Sequence, residues 1–208
     1  MANSTKRLPV PFIILGMAMP FASCHQILLF RYGIHQPREE TPERIMHFME
    51  KRGYSNENTF IFKDTASFFA CMRDSVFRTH VPGMMVFDHN GNMNVSRDTT
   101  PCRWLNENFA RLLPEDTLGS GSSLFTLRQL RNCMVPLYAG TKTDTSIATC
   151  FVMVCWATFL GRYNDRLFSI REWINKNHSV RIQPLFLCID LQKEWNLNLR
   201  NRKVLQFN

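Results

Sequence analysis

The chain has 208 residues, 45% of them hydrophobic and 20% charged, with 7 cysteines and a formal net charge of +8. That apolar share excludes a disordered or low-complexity chain, and seven cysteines are too few, and odd in number, for a disulfide-built mini-scaffold. The length allows one domain with a substantial core or two small ones, and the modest basic excess names no chemistry.

Met1 to Arg7 closes on the basic pair Lys6-Arg7, and Leu8 to Ala22 is uncharged and mostly apolar. That run is shorter than the roughly 20 residues of a spanning helix. Phe21-Ala22-Ser23-Cys24 then sets small residues before a cysteine, the order of an export signal. The tetrad resembles a bacterial lipobox, which implies that Cys24 is lipidated and becomes the new N-terminus. On that resemblance the protein is an exported, membrane-anchored lipoprotein facing the periplasm or cell surface, with the membrane as a partner through its N-terminal lipid. The competing reading is a buried element from Pro11 to Phe30 with Cys24 in the core. Residues 1–24 are thus the expected signal peptide and 25–44, with Pro37, Arg38 and Pro42, the expected spacer.

From residue 45 to 191 the pattern is α/β. Thr41-Pro42-Glu43 opens a helix with a capping residue, a first-position proline and an early acid; Ile45, Phe48 and Met49 share a face, and Gly53 stops it. Thr59 to Lys63 reads as a short strand. Asp64 caps a second helix with the apolar stripe Phe68, Phe69, Met72 and Val76. Val81-Pro82-Gly83 leads into a strand from Met84 to Asp88, and Asn90-Gly91 turns it into a second run, Met93 to Arg97. Arg103 to Leu113 is an amphipathic helix. The Gly/Ser-rich stretch 115–123 is a linker joining two halves, 45–114 and 124–191. Then come a helix from Phe125 to Met134, an apolar strand from Ile147 to Trp156, a helix from Arg162 to Asn177 and a strand from Arg181 to Leu191. Nearly every residue of the 147–156 run is apolar, as in a strand covered on both faces. Residues 192–208 read as a polar tail.

The stretch Val154-Cys155-Trp156-Ala157-Thr158-Phe159-Leu160-Gly161-Arg162-Tyr163 resembles the thioredoxin segment that passes from a central strand into the redox helix. Trp156, Ala157 and Gly161 match, and Phe159 replaces a tryptophan. His80-Val81-Pro82, followed by Met85-Val86-Phe87-Asp88 and Gly91, resembles the family's second hallmark, a cis-proline that begins a strand, faces the redox pair and precedes a hairpin. The resemblance implies a thioredoxin-like mixed sheet flanked by helices; because here the proline hairpin comes first, either the order is permuted or the two halves are separate α/β pieces and the likeness of one is accidental. The redox cysteines are replaced by Leu160 and Tyr163, and dithiol exchange needs both a thiolate and a resolving thiol. No Cys-x-x-Cys occurs in the chain.

Cys150 and Cys155 fall on opposite faces of one strand and cannot pair. With Cys188 they read as small core residues, and Cys133 shows no partner. Cys71 and Cys102 flank the hairpin and form the one plausible disulfide, with a loop of about 30 residues and a stabilisation of roughly 3–4 kcal/mol. The six histidines show no ligand spacing, so no metal and no cofactor is expected. Arginines are dispersed, and no nucleic acid is expected as a partner. The leading expectation is a non-catalytic, lipid-anchored envelope protein. A groove between Trp156, Phe159, Leu160, Gly161 and Tyr163 on one side and His80, Val81 and Pro82 on the other would bind a peptide or protein partner. The alternatives are a thiol–disulfide oxidoreductase using Cys71 and Cys102, and a structural lipoprotein whose cleft is filled core.

Overall fold

The structure, a computed structural model, describes residues 31–94, 125–138, 148, 150–176 and 181–197. Cys24, Cys102, the 103–113 helix and the 115–123 linker lie outside the described residues.

The strands are β1 (Glu39–Glu40), β2 (Thr59–Phe62), β3 (Gly83–Asp88), β4 (Met93–Asn94), β5 (Met134–Pro136), β6 (Cys150–Trp156), β7 (Ile182–Cys188) and β8 (Leu191–Gln192). Six of them form one mixed sheet in the order β4-β3-β6-β7-β2-β5, and β1 pairs with β8 beside it. At the centre β6 runs parallel to β7, from Cys150↔Ile182 to Trp156↔Cys188, and β7 runs parallel to β2. On its other edge β6 takes β3 antiparallel, from Asp88↔Cys150 to Gly83↔Cys155. All seven residues of β6 are buried, which is why that strand reads as an unbroken apolar run rather than an alternating one.

Local chemistry sets the helices. Thr41 accepts from the Arg44 N–H at the start of α1 (Pro42–Lys51), and Asp64 accepts from the Ser67 N–H (2.7 Å) at the start of α2 (Thr65–Arg73). The single helix expected through Val76 is two. Asp74 adopts an extended conformation, ends α2, and caps α3 (Ser75–Thr79) by accepting from the Phe77 N–H at 2.9 Å. A capping box between Thr126 and Gln129 opens α4 (Leu127–Asn132), and α5 (Tyr163–Lys176) follows β6 after a 3-10 turn, Thr158–Leu160.

The sheet has two covered faces. Alternation along β6 sends Val152, Val154 and Trp156 to the face under α1 and α5, and Phe151, Met153 and Cys155 to the face under α2, α3 and α4. Cys150 and Cys155 lie on these opposite faces, as the strand period requires. None of the described helices is long and apolar enough to cross a membrane.

Two expected boundaries move. Residues 31–41, expected within the spacer, are laid onto the fold: the His35 N–H donates to the Phe159 carbonyl (3.0 Å), the Arg162 N–H donates to the Tyr32 carbonyl (2.6 Å), and Glu39–Glu40 form β1. At the other end the expected polar tail begins inside the fold. Gln192 is buried in β8, and the Trp195 ring packs 5.6 Å from that of Phe68.

Candidate functional site

The C-terminal ends of parallel β6 and β7 and the N-terminal end of antiparallel β3 meet at one edge of the sheet, because antiparallel pairing reverses β3. Open α/β sheets place ligands beyond the carboxyl ends of their parallel strands, where diverging connections leave a crevice. Such a crevice is present: a cavity of about 420 Å³ lined by Pro37, Phe68, Met72, Arg78, Val81, Pro82, Phe159, Ile189 and Leu191. Its size suits a drug-sized ligand or one to two bulky side chains. The Val81–Pro82 peptide bond is cis.

Each wall has a local cause. Phe68 and Met72 stand one helical turn apart on α2 and sink into the core beneath the cavity. Ile189 and Leu191 alternate with Asp190 past the end of β7, so the two apolar residues face the core while the acid turns away. Phe159 rides on the 3-10 turn, and that turn is fixed at both ends. At its start the Thr158 N–H donates to Asp190 Oδ2 (2.7 Å). At its end the Asn164 amide donates to the Ala157 carbonyl (2.8 Å) and the Gly161 carbonyl (3.1 Å). Gly161 has φ +54°, and a Cβ there would collide with the backbone oxygens of Tyr32 and Gly33, so only glycine suits the position.

Asp190 is 1% exposed, and it also accepts from the Cys188 thiol at 3.2 Å. Burial pushes its carboxyl up to about 6 against the opposing pull of these donors, and Glu40 adds a like charge.

The structure distributes the sequence-predicted residues unevenly. Phe159, Val81 and Pro82 line the cavity together. Trp156 does not: it is fully buried on the opposite face, its ring stacked 5.9 Å from Phe48 and edge-on to Phe168 at 5.2 Å. Strand alternation explains this, since Trp156 is one residue out of phase with Cys155 and Ala157. Leu160 is core beneath the turn, and Tyr163 meets Tyr32 edge-on at 6.0 Å. The expected aromatic patch is therefore split, with one member in the cavity. His80 turns back on its own helix: its Nδ1 donates to the Val76 carbonyl at 2.7 Å. A carbonyl can only accept, which places the proton on Nδ1. Asp88 and Asn92 are turn residues, the Asn92 N–H donating to Asp88 Oδ1 (2.8 Å) beside Gly91 at φ +80°.

Cys71 is a free thiol, and Cys102, its expected disulfide partner, lies outside the described residues. The neighbour of Cys71 is Cys133, with which it shares a hydrogen bond, and burial pushes the Cys71 thiol well above its ordinary range. The reason is topological. Cys133 sits just before β5, whose Met134 pairs with Phe62 of β2, and this returns the chain beside α2. No group of three or more potential metal ligands occurs among the described residues.

Sequence reasoning missed Phe68, Met72, Ile189 and Leu191 as lining, reading them as ordinary core, and it placed Pro37 in a spacer and passed over Arg78. The signal that could have found them is positional: residues just past the ends of two apolar parallel strands, facing a helix stripe. No family model, no curated protein and no solved structure matches the chain.

Proposed function

We propose that the protein is a non-catalytic binding module whose cavity takes a bulky apolar side chain of an extended peptide or protein partner. The observation that carries this reading is the lining itself. Pro82 and Phe159, from two distant stretches of chain, border one apolar cavity at the strand ends, and among the described residues its lining contains no thiol, hydroxyl, imidazole or carboxylate. Such a surface offers burial of apolar area and no group to attack a bond.

The reading extends to ancestry and address. A thioredoxin-like domain with altered element order accounts for a proline-led strand beside the turn that follows β6, and for the Gly91 hairpin after it. The lipobox-like tetrad ending in Cys24 supports export and a lipid anchor, with the domain held at a membrane surface. Loss of palmitate labelling in Cys24→Ala would support that address, and unchanged labelling would remove it. The thiol–disulfide alternative gains nothing from Cys71, whose burial favours the unreactive neutral thiol.

The test of binding is a positional library of acetylated octapeptides measured by fluorescence anisotropy against the full chain. The wild type selects Leu, Ile, Phe or Met at one position with a Kd in the micromolar range, and Phe159→Glu weakens binding at least about tenfold. Thermal unfolding of that variant within a few degrees of wild type separates this loss from misfolding. No binding by any peptide, or equal binding by the variant, overturns the proposal.

A further inference from the structure

Among the described residues the lining carries one charge. Arg78 stands in the last turn of α3, three residues before Val81, and its side chain is exposed. Among the described residues it makes no ion pair; those formed are Arg44–Glu40, Arg52–Asp165 and Arg171–Glu57. Asp74, one turn earlier on the same helix and the natural partner for Arg78, is committed to capping the Phe77 N–H. The other lining residues among those described are apolar, so none of them neutralises the guanidinium.

A ligand that fills this cavity removes water from its rim. Covering an unpaired guanidinium with apolar surface is unfavourable, whereas a carboxylate placed there meets it with a charge-assisted, bidentate hydrogen-bond pair. The planar fork of arginine suits carboxylate geometry better than a lone ammonium would. An amine at that point is repelled. Charge complementarity therefore narrows the partner.

We infer that the segment recognised by the cavity carries a carboxylate adjacent to its apolar anchor, and that Arg78 is the specificity-determining residue that reads it. This rests on the peptide-binding reading of the cavity. The carboxylate has two chemical sources, an Asp or Glu side chain beside the anchor or the free C-terminus of a chain whose last residue is the anchor.

The experiment uses the full chain and five versions of the best library peptide, measured by anisotropy. These carry Glu beside the anchor, Gln in its place, Lys in its place, or the anchor at the C-terminus as free acid or amide. The expected order is Glu about tenfold tighter than Gln, with Lys weakest, or free acid about tenfold tighter than amide if the terminus is the source. Arg78→Gln, a surface change that leaves folding intact, erases the discrimination while retaining the apolar anchor, and Arg78→Glu inverts it toward Lys. Raising salt from about 0.05 M to about 0.5 M compresses the wild-type difference and leaves the Arg78→Gln variant unmoved. Equal affinity for Glu, Gln, acid and amide forms, with Phe159→Glu still abolishing binding, overturns this inference and leaves the cavity reading standing. Binding of dodecanoate at the cavity with no peptide binding at all overturns both.

Discussion

The two faces of the sheet are built from the same strands and treated differently. Under α1 and α5, Trp156, Phe168 and Phe186 interlock, with Phe168 stacked on Phe186 at 4.9 Å and on Tyr54 at 4.0 Å. Under α2 and α3, the Phe62, Phe68 and Phe77 cluster reaches the strand ends and then stops, leaving the cavity. The first face is closed by aromatic rings in mutual contact; the second is covered by α2, α3 and α4 and leaves the cavity at the strand ends. After the break in the helix at Asp74, α3 sets Phe77 in the core and is followed by Val81 and Pro82, which with Arg78 line the cavity. One residue spacing along β6 therefore separates the face closed by rings from the face that carries the cavity.

The largest effect that would break this comparison is at Trp156 against Phe159. Trp156→Ala empties a fully buried site and should cost about 3–5 kcal/mol, read as a large drop in the denaturant midpoint. Phe159→Ala, at a half-buried wall of an open cavity, should cost about 1 kcal/mol or less while weakening peptide binding. Equal destabilisation by the two would mean that the cavity is core after all.

Next in size is the pH dependence of Asp190. Its carboxyl is raised by burial from 3.8 to about 6 in the folded chain, so the folded state holds a proton that the unfolded state releases. Its contribution to stability is fully present below about pH 4 and is lost as pH rises toward about 6, by roughly 3 kcal/mol in all. Asp190→Asn retains an acceptor for the Thr158 N–H and needs no proton. Its unfolding free energy should exceed wild type above pH 6 and converge with it near pH 4. Glu43 and Asp64 run the opposite way. The Thr41 hydroxyl holds Glu43 below the ordinary carboxylate range, and the Ser67 N–H does so for Asp64, so their support is lost as pH falls. A wild-type-minus-variant difference that is flat between pH 4 and 7 would show that Asp190 takes up no proton on folding.

Gly161 sharpens the same comparison from the backbone side. With φ +54° and the Tyr32 and Gly33 oxygens against it, Gly161→Ala should cost about 2 kcal/mol, since the strained conformation and the clash add. Because the turn carries Phe159, this variant should also lose peptide affinity, which a purely structural glycine on the closed face would not do.

The sequence made much of this legible, for identifiable reasons. The β6 run was plain because a strand covered on both faces cannot alternate. Helix starts at Thr41 and Asp64 followed from local capping, and the β3–β4 turn from Asn90-Gly91. Pro82 stood out through the thioredoxin hallmark that His80-Val81-Pro82 and the following hairpin resemble. The division of Trp156 from Phe159 was not legible, because the strand ends between them and its period stops applying. Nor was the pairing of Cys71 with Cys133, which depends on a strand return 62 positions on that no local pattern announces. Asp74 was hidden for a third reason: helix periodicity continues across it through Val76, and only its backbone conformation shows the break.

The smallest effect concerns how the closed face is finished at its rim. Arg52 donates to Asp165 Oδ1 at 3.0 Å and lies over the Phe48 ring at 5.0 Å, while the Tyr54 hydroxyl donates to the same carboxylate oxygen. These contacts tie the end of α1 to the start of α5 above Trp156 and Phe168. Asp165 is half exposed, so its charge pair with Arg52 is screened by solvent and should be worth about 0.5 kcal/mol. Tyr54 combines that bond with a ring stacked on Phe168, so Tyr54→Phe, which retains the ring, should cost about 1 kcal/mol or less, and Tyr54→Ala about 2–3 kcal/mol. A double-mutant cycle of Arg52→Ala with Asp165→Ala measures the charge pair alone, and its coupling should shrink in 0.5 M salt. If the coupling instead exceeded the loss from Tyr54→Ala, the face would be held by its rim rather than by its rings. The contrast with the open side, where Arg78 stands without an acid among the described residues, would then be one of charge pairing alone.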